Sequence, residues 1–183
     1  YAPETSKVIE KIISEAFPPY YITVVSGGRK ENALLLEQKF DYIFFTGSPT
    51  VGRVVMEAAA KNLTPVTLEL GGKSPVIVDE TANIRLAARR IAFGKVTNAG
   101  QTCVAPDYLL IHSKVKDKFI TEYKRALQKF FPDNDMSRMV TIISDKHYER
   151  LKNLLTDGRT ILGGHFDDER RFIEPTLIDN VDL

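Results

Sequence analysis

The chain has 183 residues, 43% apolar and 27% charged, with 25 Lys and Arg against 24 Asp and Glu, the proportions of a globular protein long enough to bury a core. A formal charge of +1 excludes a strongly basic nucleic-acid binder and an acidic disordered tail. No apolar run approaches the roughly 18–20 residues that a membrane-spanning helix requires.

The opening Tyr1-Ala2-Pro3-Glu4-Thr5 has no basic stretch followed by an apolar one, so no signal peptide is visible. Residues 4–17 carry Val8, Ile12, Ile13 and Phe17 at helical spacing, closed by Pro18-Pro19. Tyr21-Ile22-Thr23-Val24-Val25 is a β-branched run stopped by Gly27-Gly28, which predicts a strand. A helix over 31–38, a strand over Asp41–Phe45 and a helix over 50–62 follow. Pro65–Leu70 and Pro75–Val78 are two more short strands, split by Gly71-Gly72. Beyond them the pattern predicts a helix over 84–96, a strand over Tyr108–His112 and a helix over 114–131. A polar loop over 132–141, a helix over 145–156 and strands near Thr160–Leu162 and Phe172–Ile178 complete the chain. Alternation with connections this short predicts the α/β class, a parallel sheet with crossover helices, and a second α/β unit starting near Gly71-Gly72. Lacking an initiating Met and ending on Asp182-Leu183, the chain is expected to be part of something longer.

Three segments carry candidate chemistry. Between strand 41–45 and helix 50–62 lies Thr46-Gly47-Ser48-Pro49-Thr50-Val51-Gly52. Ser48 suits an N-cap and Pro49 the first helical position. A helix that starts at the carboxyl end of a parallel strand directs free N–H groups at whatever binds there, a pyrophosphate site in outline. The spacing is neither a Walker A loop nor Gly-x-Gly-x-x-Gly, and on the motif alone a plain strand–helix turn with a capping Ser is the simpler reading. Glu69 ends an alternating strand where ligands bind in open α/β sheets; it is either a desolvated general base or an exposed strand-end carboxylate. Cys103 is the single cysteine and lies in the polar loop Asn98-Ala99-Gly100-Gln101-Thr102-Cys103. It is either a nucleophilic thiolate or an inert thiol. It cannot form an internal disulfide, which suits a reducing, cytoplasmic setting. His112, His147 and His165 are scattered, so no metal site is expected.

Together the strings Phe44-Phe45-Thr46-Gly47-Ser48 with Val51-Gly52, Leu68-Glu69-Leu70-Gly71-Gly72-Lys73-Ser74-Pro75 and Asn98-Ala99-Gly100-Gln101-Thr102-Cys103 resemble the aldehyde dehydrogenase superfamily. The 34-residue step from Glu69 to Cys103 matches as well, and Cys103-Val104-Ala105-Pro106-Asp107-Tyr108 looks most like the class 3 branch. The resemblance implies a partial Rossmann-like cofactor domain over 1–70 and part of an α/β catalytic domain over 71–183. It implies oxidation of an aldehyde to a carboxylic acid with NAD or NADP. Cys103 would form a thiohemiacetal and then a thioester, with its own N–H donating to the oxyanion; Glu69 would activate the hydrolytic water. Gly47, Ser48, Pro49, Thr50, Val51 and Gly52 would face the pyrophosphate, and Leu70 and Gly71 the nicotinamide. Lys73 and Gln101 would be structural neighbours. A homodimer and medium-chain or aromatic aldehydes are further implications. Family segments that hold the oxyanion Asn and the two riboses would fall before Tyr1 and after Leu183, so the 183 residues alone are expected to be inactive. A CoA-acylating relative is disfavoured because such enzymes generally lack the Glu at position 69, and a non-catalytic relative because neither Cys103 nor Glu69 is needed for packing.

Overall fold

The computed structural model describes residues 2–181; Tyr1, Asp182 and Leu183, the ends discussed above, lie outside them. The chain divides into two compact units, Tyr1–Gly71 and Gly72–Leu183.

In the first unit α1 spans Pro3–Ala16 and buries none of its residues. The predicted strand over Tyr21–Val25 does not form. The N–H groups of Tyr21 and Ile22 both donate to the Pro18 carbonyl, at 2.9 and 3.2 Å. The extended stretch after them has no ladder partner among the described residues, and β-branched composition alone cannot satisfy a strand's backbone groups. α2 (Arg29–Leu36) begins where the Gly28 N–H donates to Glu31 Oε2 at 2.6 Å. β1 (Ile43–Thr46), α3 (Pro49–Ala60) and β2 (Val66–Glu69) then make one strand–helix–strand unit. β1 and β2 are parallel, with Ile43 opposite Val66 and Thr46 opposite Glu69. α3 buries Gly52, Val55 and Ala59, which follow one another at three- and four-residue steps and so share one face. A Cβ at Gly52 would stand 2.9 Å from Leu70 Cδ2, so the missing side chain lets α3 pack closely against the end of β2.

In the second unit β3 (Ser74–Val78) and β4 (Pro106–Ile111) are parallel and joined by α4 (Ile84–Val96). Asn83 caps α4, its Oδ1 accepting the Leu86 N–H at 3.1 Å. α5 (Lys116–Phe130) lies along α4, and their shared core is Val78, Ile84, Ala88, Ala92, Phe119, Tyr123, Ala126 and Leu127. Ala88 and Ala92 are wholly inaccessible; their small side chains let the Phe119 and Tyr123 rings approach the helix. α5 starts two residues later than predicted, after a 3₁₀ turn over Ser113–Val115. α6 (Asp145–Asn153) ends earlier than predicted, passing into a 3₁₀ turn over Leu154–Thr156.

The last segment departs from the parallel pattern. β5 (Arg159–Leu162) pairs antiparallel with β8 (Leu177–Asp179), and β6 (Phe166–Asp167) pairs antiparallel with β7 (Phe172–Ile173). The single strand predicted over Phe172–Ile178 is thus two, interrupted around Pro175, which has no N–H for a ladder. Among the described residues no helix is long and apolar enough to cross a membrane.

Candidate active site

The first unit brings the phosphate-turn candidates and Glu69 to one edge, at the carboxyl ends of β1 and β2. The Gly47 N–H donates to the Glu69 carbonyl at 2.9 Å, tying the turn to the end of β2. Ser48 is extended (φ −77°, ψ 152°) and its side chain accepts the Val51 N–H at 3.3 Å. Pro49 follows with no N–H to satisfy, and the Gly52 N–H returns to the Ser48 carbonyl at 2.9 Å. The Thr50 N–H is left without a partner among the described residues. The first turn of α3 carries no acidic residue. One open N–H, two hydroxyls and the positive end of a helix dipole, without a competing carboxylate, suit a bound phosphate. Leu70 turns its side chain onto Gly52, while a Cβ at Gly71 would meet nothing within 4 Å. The Glu69 side chain is exposed, so its own unit does not supply the desolvation considered from the sequence.

The second unit places Cys103 on the loop from α4 to β4. The chain leaves α4 through three consecutive left-handed residues, Asn98 (φ 51°), Ala99 (φ 52°) and Gly100 (φ 72°). Two of them carry side chains, a conformation that costs of order 1 kcal/mol each and needs tertiary support. Gln101 supplies it. Its Nε2 donates to the carbonyls of Asn98 and Thr141, both at 3.1 Å, and its Oε1 accepts the Ile143 N–H at 2.9 Å. Asn98 Nδ2 answers by donating to the Gln101 carbonyl at 3.1 Å.

Cys103 sits in the turn closed by the Ala105 N–H on the Thr102 carbonyl at 3.0 Å. Its thiol is free and exposed, and its N–H has no partner among the described residues. Its carbonyl accepts from Ser74 Oγ of β3 at 3.2 Å and passes so close to Gly72 that a Cβ there would lie only 2.2 Å from the oxygen. Lys73 pairs with Asp107 at 3.2 Å through a largely exposed side chain, a contact of small energetic worth. The arrangement presents a thiol and an unpaired N–H side by side on a loop held at its carbonyl, which is what attack on a carbonyl carbon and stabilisation of the resulting oxyanion require.

Sequence reasoning singled out Cys103 but gave Ser74 and Gly72 no part in holding it. Their string Gly71-Gly72-Lys73-Ser74 is distinctive in sequence, but the contact of Ser74 with a residue 29 positions away has no local signal. The cleft lined by Lys124, Leu127, His165, Phe172 and Glu174 contains none of the candidate residues. Among the described residues no group of three or more His, Cys, Asp or Glu is placed to hold a metal ion.

A model of the aldehyde dehydrogenase family matches residues 1–183. Among curated proteins, the chain is 52% identical over 186 residues to 4,4'-diaponeurosporen-aldehyde dehydrogenase of Staphylococcus aureus, covering 98% of this chain and 40% of that protein. It is 47% identical over 184 residues to aldehyde dehydrogenase family 3 member B1 of Mus musculus, covering 97% of this chain and 39% of that protein, in keeping with the class 3 likeness. Among solved structures, the substrate-bound state of Staphylococcus aureus AldH superposes with a TM-score of 0.89 at 50% identity, over 98% of this chain and 40% of that one. Betaine aldehyde dehydrogenase from Staphylococcus aureus, in complex with NAD+, superposes with a TM-score of 0.72 at 30% identity, over 87% of this chain and 34% of that one. The chain therefore spans about 40% of the length of the curated relatives it matches.

Proposed function

The chain belongs to the aldehyde dehydrogenase family, and from that premise we propose that the full-length protein oxidises an aldehyde to a carboxylic acid with NAD or NADP. The observation that carries this reading is the presentation of Cys103: an exposed thiol beside its own unpaired N–H, on a loop whose carbonyl accepts from Ser74 and passes close to Gly72. Cys103 Sγ adds to the aldehyde carbon to give a thiohemiacetal, and the Cys103 N–H donates to the oxygen as it gains charge. When bound, the nicotinamide supplies the hydride acceptor that turns this adduct into a thioester. Glu69 takes a proton from the water that then attacks the thioester carbon, releasing the acid and the Cys103 thiol. The open Thr50 N–H and the hydroxyls of Ser48 and Thr50 hold the pyrophosphate at the start of α3, with Gly47, Pro49, Val51 and Gly52 shaping the turn and Leu70 and Gly71 facing the nicotinamide. The NAD+ complex of the betaine aldehyde dehydrogenase supports a nicotinamide cofactor. By family likeness the reading includes a cytoplasmic homodimer, in a compartment that keeps the thiol reduced.

Two substitutions in the full-length protein test it. Cys103→Ala should abolish aldehyde-dependent formation of NADH or NADPH, because no covalent adduct can form. Glu69→Gln should lower steady-state turnover by about 10²–10⁴ while the acyl group accumulates on Cys103. Mass spectrometry would then find the acyl adduct, with up to one reduced cofactor per site formed rapidly before slow turnover. A Glu69→Gln enzyme with parental turnover would remove the carboxylate from the mechanism, and an active Cys103→Ala enzyme would remove the thiol.

A further inference from the structure

The loop that carries Cys103 leaves α4 at Val96 and enters β4 at Pro106, and one side chain reaches both of its ends. Lys95 lies in the last turn of α4. Its Nζ donates to the Pro106 carbonyl at 3.0 Å. Its stem runs beneath Gly100, where an added Cβ would come within 3.3 Å of Lys95 Cδ and Cε and 3.4 Å of Nζ. The neighbouring Gly94 packs on the Pro106 ring, with only 3.0 Å from an added Cβ to Pro106 Cδ. Two successive residues of α4 therefore hold Pro106, one by its ring and one by its carbonyl.

A lysine usually snorkels its ammonium into water, and Lys95 does the opposite. The side chain is half-buried, and burial holds its pKa below the ordinary lysine value. The Asp107 carboxylate pulls the other way, and the Lys73 ammonium adds to the lowering. Desolvating a cation is costly unless it is paired and hydrogen-bonded. Here the return is a fixed carbonyl three residues after Cys103 and a filled space three residues before it.

We infer that Lys95 is a positioning residue for the Cys103 nucleophile, its ammonium fixing the Pro106 carbonyl and its stem supporting Gly100 so that the loop between them holds the thiol and the Cys103 N–H in one orientation. It acts through the loop and touches neither substrate nor cofactor. The inference rests on the reading of Cys103 as the nucleophile.

The test compares the full-length parent with Lys95→Met, which keeps the stem and loses the donor, and Lys95→Arg, which restores a cationic donor. The rate of Cys103 alkylation by iodoacetamide is followed in the native protein, together with kcat and the KM for aldehyde and cofactor. Lys95→Met should slow alkylation and lower kcat by about tenfold or more, the worth of a hydrogen bond from a charged donor, with both KM values within about threefold of the parent. Lys95→Arg should recover most of the loss. Lys95→Met reacting at the parental rate, or Lys95→Arg recovering nothing, would overturn the role. Should Lys95→Met not fold, Gly100→Ala, which forces a methyl against the Lys95 stem, must slow alkylation; parental reactivity there refutes the inference. A parent whose Cys103 resists iodoacetamide until denatured sinks the nucleophile reading and the Lys95 role together. Rapid labelling of the parent with no effect of Lys95→Met sinks the Lys95 role alone.

Discussion

Replacing Gly72 by alanine is the smallest change that should displace the Cys103 loop. The added Cβ would stand 2.2 Å from the Cys103 carbonyl oxygen and 3.3 Å from its carbonyl carbon, whereas a relaxed carbon–oxygen contact begins at roughly 3.3 Å. About 1 Å must therefore be recovered, and the obstructing atom is backbone, which cannot rotate aside. The Ser74 Oγ bond to the same oxygen, 3.2 Å long, is lost or stretched as the carbonyl withdraws. Overpacking of this kind costs about 1–3 kcal/mol, and a misplacement of about 1 Å at a reacting group costs on the order of 10² in rate. The assays are thermal melting of the full-length protein and the rate of iodoacetamide labelling at Cys103; both should fall in Gly72→Ala. Gly71→Ala is the control. A Cβ there meets nothing within 4 Å, so cofactor-free protein should melt and label like the parent, within about 0.5 kcal/mol in stability. If the two alanine variants behave alike, the close approach of Gly72 to Cys103 does not hold the loop.

Thr50→Asp separates the phosphate turn from an ordinary capped helix. A carboxylate in the first turn of α3 should stabilise the helix by about 0.3–1 kcal/mol through its dipole. It should also repel a pyrophosphate, weakening NAD(P) binding about tenfold or more. Unchanged cofactor affinity by calorimetry would show that the turn binds no phosphate. At low pH the second unit should lose a contribution from Asp179. Its carboxyl is held below the usual range first by the Lys116 hydrogen bond, at 2.7 Å, then by the Asn180 N–H and the charges of Lys116 and Arg159. A lowered carboxyl pKa stabilises the folded state at every pH above the unfolded value of about 3.9, and that stability is lost as pH falls through the folded value. Asp179→Asn should therefore lower the urea midpoint at pH 7 and flatten its fall in acid. Equal acid sensitivity of the two proteins would contradict the assignment.

How far the sequence carries depends on how local the deciding interaction is. α4 spans Ile84–Val96, the bounds predicted from the sequence pattern, because a helix is settled by spacing within a few residues. The turn between β1 and α3 was legible for the same reason: Ser48 and Pro49 each act within one helical turn. Glu69 and Cys103 were recognisable by residue type and by likeness to a family, since a carboxylate after a strand and a thiol in a polar loop are visible one residue at a time. Strand pairing was not legible. Tyr21–Val25 has the composition of a strand without a ladder partner among the described residues, and Leu177–Asp179 turned back against Arg159–Leu162 where a parallel continuation was expected. Direction and partner are properties of two segments, and neither segment encodes the other. The scaffold of the Cys103 loop is the extreme case. Gln101 reaches Thr141 and Ile143, Ser74 reaches Cys103, Gly72 admits its carbonyl and Lys95 holds Pro106. Family resemblance singled out Cys103 as the candidate nucleophile; only the folded chain brings together the side chains that hold its loop, because those contacts exist only after α4, β3 and β4 have packed.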